Sequence, residues 1–357
     1  MNEQQSPSVV IVGAGISGLM AARLLSSAGY EVTVLDKGRG VGGRLATRRI
    51  GDAVFDHGAQ FVTARTELFA SELAALVKAG AAATWFTGVV GADGILERDD
   101  LVRHRGVPAM TGIAKYLAKG LDVRLSARVE SVRPSGATWL IQVADGAHVG
   151  PQIASQHGAH VGAHDQDAGR AAPGDVILAD AVILTAPVPQ TLDMLDPESI
   201  DPSDKDRLEQ ITYDPCIAVM AVLDTSPSIG VPGVRRPATG PVALYADNQA
   251  KGVSPVPALT VHAGPDASRE LWEATDEEVV AAVLSDLALA GAQLREAQVH
   301  RWRYAQAAVT LPEQFLLLRG DGHAVVAGDG FGGASSVEGA ALSGIAAAQA
   351  IIERLSD

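Results

Sequence analysis

Apolar positions open the chain in two different rhythms. "SVVIV" is continuously apolar and β-branched, and after "GAG" the spacing lengthens to that of a helix across "ISGLMAARLLSSAG", ending near Gly29. "EVTVL" then restores the strand pattern and stops at Asp36. Two strands that are apolar throughout, joined by a helix, predict a βαβ unit in a parallel sheet covered on both faces.

Further along, helical spacing recurs over 66–85, with apolar positions at Leu68, Phe69, Leu73, Leu76 and Val77, and again over 111–119 and 275–290. Strands are expected at 121–132 and 138–144, at "VILADAVILTAP" (176–187, returning to the first sheet), at "CIAVMAVL", at "PALTVHA" and over 298–304. The C-terminal part, from "HAVVAGDGFGG" through "VEGAALSGIAAAQAIIERL", reads as a buried strand, a glycine turn and a long helix of small residues. The predicted fold class is α/β: a discontinuous Rossmann-type domain over 1–70, 111–204 and 318–357, and a smaller α+β domain with a mixed sheet over 71–110 and 205–317. Residues 146–174 interrupt this order with a polar run that carries an imperfect repeat and four of the nine histidines. No helical or strand spacing orients those rings, so a connecting excursion is expected rather than a metal site.

Composition narrows the function. The 357 residues carry 28 Lys+Arg against 42 Asp+Glu, a formal charge of −14, which argues against nucleic acid or an anionic membrane as partner. No apolar stretch reaches the ~18 residues of a membrane span, the N-terminal run lacks the features of a signal peptide, and a lone cysteine, Cys216, suits a reducing compartment; a cytoplasmic location is expected. No metal is expected, and the oligomeric state is open.

Chemistry concentrates in the glycine turns. Gly13, Gly15 and Gly18 form G-x-G-x-x-G between strand and helix, and Asp36 ends the next strand. That order brings a pyrophosphate onto the helix N-terminus and a carboxylate onto the adenosine ribose, so a dinucleotide cofactor is predicted. FAD and NAD(P) both fit to this point.

"DKGRGVGGR", with a second glycine pair and Arg44 after the acid, resembles flavoproteins of the glutathione-reductase-like and amine-oxidase-like superfamily. "FDHGAQFVTAR", "RVESV", "ILTAPVPQ" and "VVAGDGFGGASSVEGAALSG" extend the resemblance along the chain. Within it, "DKGRGVGGR", "DHGAQFVTAR", "YADNQAKG", "VHA", "HRWRYAQ" and "AGDGF" recur in that order in the renalases, so the chain is similar to that family over essentially its full length. The 146–174 excursion is not part of that pattern.

The resemblance implies a noncovalent FAD enzyme that oxidises 2- and 6-dihydro isomers of NAD(P)H to NAD(P)+ by hydride transfer to flavin N5, with O2 reduced to H2O2. The partners it implies are a small dinucleotide-type substrate and O2. It places Gly13, Gly15, Ile16, Ser17 and Gly18 on the pyrophosphate, Asp36 and Lys37 at the adenosine end, and the Val129 backbone on adenine. Gly43, Arg44, Gly58, Ala59 and Gln60 follow along the pyrophosphate and isoalloxazine, Gly328 and Asp329 lie at the ribityl phosphate, and Val337 starts a helix aimed at the flavin ring. Gln60, Asn248, His262, Trp302 and Tyr304 are the implied substrate-pocket residues, with no catalytic base required. Arg301 and Arg303 alternate with Trp302 and are expected on the opposite, salt-bridged face; Arg103, His104 and Arg105 form a local basic cluster, either phosphate-facing or ordinary surface.

Three alternatives share the cofactor signature. A flavin amine oxidase is disfavoured by the absence of a lysine in "CIAVMAVL", the distance of Cys216 from the C-terminal glycine motif and the few aromatics. A carotenoid or porphyrinogen desaturase would need a membrane-docking surface that the sequence does not show. A non-catalytic flavin-binding redox sensor would keep the cofactor residues without turnover.

Overall fold

A computed structural model describes residues 6–91, 95–144, 175–285, 287, 289, 291–320 and 323–356. The chain divides into two compact units, the first formed by 1–43, 114–212 and 307–357 and the second by 44–113 and 213–306. The 146–174 excursion lies outside the described residues.

The first unit is built on a six-stranded sheet in the order Leu316–Leu317, His323–Val326, Ala181–Leu184, Ser8–Val12, Glu31–Leu35, Asp122–Arg124. All neighbours run parallel except Leu316–Leu317, the short antiparallel edge. Val9, Ile11, Ile183 and Val325 are fully enclosed, which is why these strands read as unbroken apolar runs. Helices Ile16–Ser27 and Val337–Ser356 pack on one another through small residues. At Gly344 an added Cβ would strike the Ser17 backbone, so this crossing requires glycine.

The run 176–187 is not one strand. Val176–Ala179 pairs antiparallel with Thr138–Val143 in a separate three-stranded sheet, and only Ala181–Leu184 returns to the parallel sheet. The break is Asp180, whose carboxylate accepts the Ser8 amide at 2.7 Å and the Ser8 hydroxyl at 2.8 Å. A polar residue that binds the chain start divides a pattern whose apolar content alone shows no interruption.

The second unit carries a five-stranded sheet in the order Val234–Arg235, Val242–Asp247, Ala258–Ala263, Thr212–Leu223, Leu294–Val309. Alternation along Thr212–Leu223 sends Ile217, Val219 and Ala221 toward Val279 and Val283 of helix Asp276–Leu284. Met220 turns to the other face and meets Ile50, Ala53 and Phe55 of the hairpin Thr47–Ile50 and Ala53–Asp56. Both faces are therefore covered along Cys216–Leu223, which is why that part of the strand is continuously apolar. The same packing draws the hairpin into the second unit, and the first crossover falls after Gly43 where the sequence places it at 70. The final crossover falls at 306/307 rather than 317, because Ala307 already bonds Asp329 and Ser335 of the first unit.

Helix Glu67–Lys78, capped by Thr66, is shorter than the expected 66–85. Gly80, at φ +72°, ends it, and the alanines that follow enter strand Ala82–Val90, hairpinned with Leu96–Gly106. Alanine's helix propensity misleads there because pairing with the facing strand outweighs it. No helix among the described residues is long and apolar enough to cross a membrane.

Candidate functional site

The glycine turn of the first unit sits at the end of strand Ser8–Val12, whose two neighbours in the sheet are Ala181–Leu184 and Glu31–Leu35. Gly13 has φ +116°, and its carbonyl lies where a side chain on Gly18 would have to go, so the two glycines specify one tight turn. Ile16–Ser27 begins at Gly15 with no side-chain cap, leaving first-turn N–H groups for an external acceptor. A Cβ on Gly15 would meet open space, and the buried Ser17 hydroxyl has no hydrogen-bond partner among the described residues. An uncapped helix end, open space beside its backbone and an orphaned hydroxyl are what a bound pyrophosphate would satisfy.

The second glycine run closes against the first. Gly42 donates its amide to Ala14 O at 2.8 Å, Gly42 and Gly43 both have positive φ, and Gly43 approaches the Gly15 backbone closely. Asp36 accepts the Ala14 amide through Oδ2 and the Gly38 amide through Oδ1, both at 2.7 Å, so one carboxylate orders both loops. Each of its oxygens keeps acceptor capacity for a ribose hydroxyl. Lys37 donates to Gln190 Oε1 at 2.9 Å. Val129 is buried beside a register irregularity at Val129/Ser131. Gly328, at φ +136°, donates to Ser343 Oγ at 2.8 Å, and Asp329 accepts from the Ser335 hydroxyl at 2.8 Å. Val337 begins the last helix, as the sequence predicts.

The other implied site residues lie in the second unit. Arg44 donates Nη1 to the carbonyls of Tyr304 and Ala305, both at 3.3 Å, a tie to strand Leu294–Val309 absent from its expected pyrophosphate role. Gly58 has a packing reason of its own: a Cβ there would collide with Arg44 O, which also accepts the Ala59 amide at 2.8 Å. Gln60 is buried and donates Nε2 to Asp56 O at 2.6 Å.

Trp302 and His262 converge on one atom. Trp302 Nε1 donates to His57 O at 3.0 Å, and His262 Nε2 lies 3.2 Å from the same oxygen, which fixes the Nε2–H tautomer. The His57 ring stacks on Trp302 at 5.3 Å, and His300 stands edge-on to both. Burial, reinforced by the charges of His300 and Arg48, lowers His57 to about 3. Burial lowers His262 to about 4 and lowers His300 as well. The three imidazoles and the indole thus form a neutral aromatic cluster at neutral pH. Tyr304 stands apart from it, edge-on to Tyr213 at 5.6 Å.

Asn248 corrects the sequence expectation. It is fully buried, its Oδ1 accepts the Asp56 amide at 3.2 Å, and its Nδ2 donates to Thr260 Oγ1 at 2.9 Å and Ala258 O at 3.3 Å. With both ends committed it stitches the hairpin to the sheet and has no amide proton left for a ligand. The basic cluster is likewise not open surface. Arg103 is 7% exposed and forms two 2.6 Å bonds to Asp99, while His104 pairs through its backbone with Val62. Arg301 is held by Asp276 and the carbonyls of Trp272 and Ala274, on the salt-bridged face the alternation predicts.

Four residues escaped the sequence reading: His57 and His300 of the aromatic cluster, and the pair Lys251 and Asp56. Lys251 and Asp56 are both wholly enclosed and paired at 2.8 Å, with Lys251 also 5.0 Å from the Trp85 ring centroid. Both lie within the quoted segments "YADNQAKG" and "FDHGAQ", but nothing local links positions 195 residues apart. A signal for His300 was present, since it is two residues from Trp302 on a strand and shares its face.

Cys216 is partly buried, and burial pushes its thiol up to about 12, so it offers no thiolate for a covalent tether. Two family profiles match: the NAD(P)-binding Rossmann-like domain over 11–73 and the flavin containing amine oxidoreductase over 88–352. Similar curated proteins include polyamine oxidase 4 of Oryza sativa subsp. japonica, 48% identical over 16% of this chain and 12% of that protein. L-amino-acid oxidase of Mus musculus is 48% identical over 14% of this chain and 8% of its own length. The chain therefore aligns with only a small part of these relatives. Among solved structures, a putative protoporphyrinogen oxidase from Exiguobacterium sp. 255-15 has TM-score 0.69 at 14% identity, covering 98% of this chain and 99% of that one. A putrescine oxidase variant has TM-score 0.68 at 17% identity with the same coverage, and both likenesses show a shared fold. With a profile match over most of its length and a cradle that fits a dinucleotide, the chain belongs to the flavin-containing amine oxidoreductase family, and its cofactor is FAD, held noncovalently.

Proposed function

We propose that the protein oxidises dihydro-NAD(P) isomers, the 2- and 6-dihydro forms, by hydride transfer, returning NAD(P)+. Bound FAD supplies the two-electron acceptor that takes the hydride and passes its electrons to O2, giving H2O2. The donor loses a hydride from a ring carbon and becomes an aromatic pyridinium, so no base need remove a proton from carbon. What the chain must supply is orientation of a flat ring.

The observation that carries this reading is the neutral cluster of His57, His262, His300 and Trp302. His57 is buried, His262, His300 and Trp302 are half-buried, and the rings present an aromatic surface with no formal charge. The carboxylate nearest in sequence, Asp56, is neutralised by Lys251. A cationic amine would find no negative field from that pair, whereas a neutral dihydropyridine stacks without loss of charge solvation.

A second reading, oxidation of an amine or amino acid, is favoured by the names of the relatives, polyamine oxidase and L-amino-acid oxidase. Anaerobic mixing of the holoenzyme with each donor class, followed by flavin absorbance, separates the two. Bleaching by the dihydro isomers supports the proposal, and bleaching by an amine or amino acid with none by the isomers overturns it.

A further inference from the structure

A second feature of the second unit bears on how a donor is recognised. A cavity of about 120 Å³ is lined by Phe61, Phe86, Val90, Val234, Arg103 and Arg236. The two arginines are in different states. Arg103 lies 5.8 Å from the Phe61 ring and 5.7 Å from that of Phe86, and Asp99 neutralises it through two parallel bonds. Arg236 follows strand Val234–Arg235, is exposed, and has no hydrogen-bond or ion-pair partner among the described residues.

We propose that Arg236 is a phosphate-binding residue on the rim of this aromatic pocket, and that it takes a phosphate group of the nucleotide-type donor. Asp99 balances the charge of Arg103, so among the described residues lining the pocket the unpaired cation is Arg236. Arg236 itself is exposed, and the apolar wall of Phe61, Phe86, Val90 and Val234 lowers the polarity on the pocket side, which strengthens an anion bond made there. A guanidinium presents a planar fork that matches two phosphate oxygens, which an ammonium would not.

The pocket belongs to the same region of the unit as the aromatic cluster. The charge of Arg236 reaches His262, where it lowers the imidazole pKa. Trp85, edge-on to Phe86 at 4.9 Å, also lies under Lys251. An anionic group seated at Arg236 would therefore be held a short way from the ring-binding faces, as a nucleotide requires. This inference rests on the proposed dihydronucleotide substrate, and it adds a specificity rule: phosphorylated donors are favoured and polycations repelled.

The test is a binding titration with no electron donor present, so it is independent of turnover. Holoenzyme at low ionic strength is titrated with inorganic pyrophosphate and, separately, with succinate, reading tryptophan fluorescence. Pyrophosphate should bind saturably and succinate much more weakly. Arg236→Gln should weaken pyrophosphate binding about tenfold or more, Arg236→Lys should recover part of it, and Arg235→Gln should leave it unchanged. Unaltered flavin absorbance in each variant shows that the fold and the cofactor are intact. Equal binding by wild type and Arg236→Gln, absence of saturable pyrophosphate binding, or equal affinity for succinate overturns the proposal. Failure of the dihydronucleotide reading would appear instead as an unbleached flavin with this titration intact.

Discussion

Replacing Lys251 by Met should destabilise the protein by about 3–5 kcal/mol, the usual cost of removing one partner from a buried ion pair. Both side chains have no exposed surface and meet at 2.8 Å. After the substitution Asp56 keeps two donors, the Thr47 hydroxyl at 2.8 Å and the Met110 amide at 2.9 Å, so its charge is only partly satisfied. The reverse change, Asp56→Asn, leaves the ammonium with Gln60 Oε1 at 3.4 Å and the face of Trp85. Burial already pulls Lys251 below the ordinary lysine range, with Asp56 opposing that pull. Removing the carboxylate therefore favours loss of the lysine proton, which limits the damage from this side. The double variant Asp56→Asn/Lys251→Met should recover about 2 kcal/mol or more relative to the sum of the singles, since neither member then leaves a bare charge. Urea unfolding followed by tryptophan fluorescence, at fixed excess FAD, gives the three differences. A loss under about 1 kcal/mol for Lys251→Met, or strict additivity in the double variant, would refute the claim that this pair anchors the second unit.

Acid should weaken the fold before its carboxylates titrate. His57 and His262 bind protons less readily in the folded state, at about 3 and about 4, than in the unfolded chain at 6.5, so their contribution is complete above 6.5 and is lost as pH falls. Each removes about 1.4 kcal/mol per pH unit below 6.5 until its folded value is reached. The urea midpoint should therefore drop steadily from pH 6.5 to pH 5, and a flat profile would contradict the buried neutral imidazoles. Asp329→Ala should raise the FAD dissociation constant roughly tenfold to a hundredfold, because it removes the acceptor that orders Ser335 and Ala307. Flavin retained through gel filtration at the wild-type level would count against that placement.

The cofactor cradle was legible because its constraints are local. Gly13, Gly18 and Asp36 are fixed by one turn and the two strands around it, so spacing and residue type carry the information. The second unit was less legible for the opposite reason. Lys251 and Asp56 meet only when a hairpin folds onto the five-stranded sheet, and neither residue's neighbours announce the other. Asn248 illustrates the same limit in reverse: its polar side chain near a recognisable segment suggested a ligand contact, yet backbone and side-chain groups of the hairpin and sheet consume its amide. Arg103 looked like part of a basic surface until a bulged strand returned Asp99 to it, with Asp100 in a left-handed conformation beside them. Period-two alternation did carry Arg301 correctly to the salt-bridged face and would have carried His300 to that of Trp302.

The central claim is that a neutral aromatic cluster selects a dihydropyridine ring as hydride donor. Its most direct test is the anaerobic rate of flavin bleaching with 6-dihydro-NAD(P), compared with 4-dihydro-NAD(P)H and with putrescine. Reduction by the 6-dihydro isomer should be faster than by either competitor by orders of magnitude, and Trp302→Leu should slow it while leaving FAD bound. Rapid bleaching by putrescine, with the isomer inert, would contradict the account.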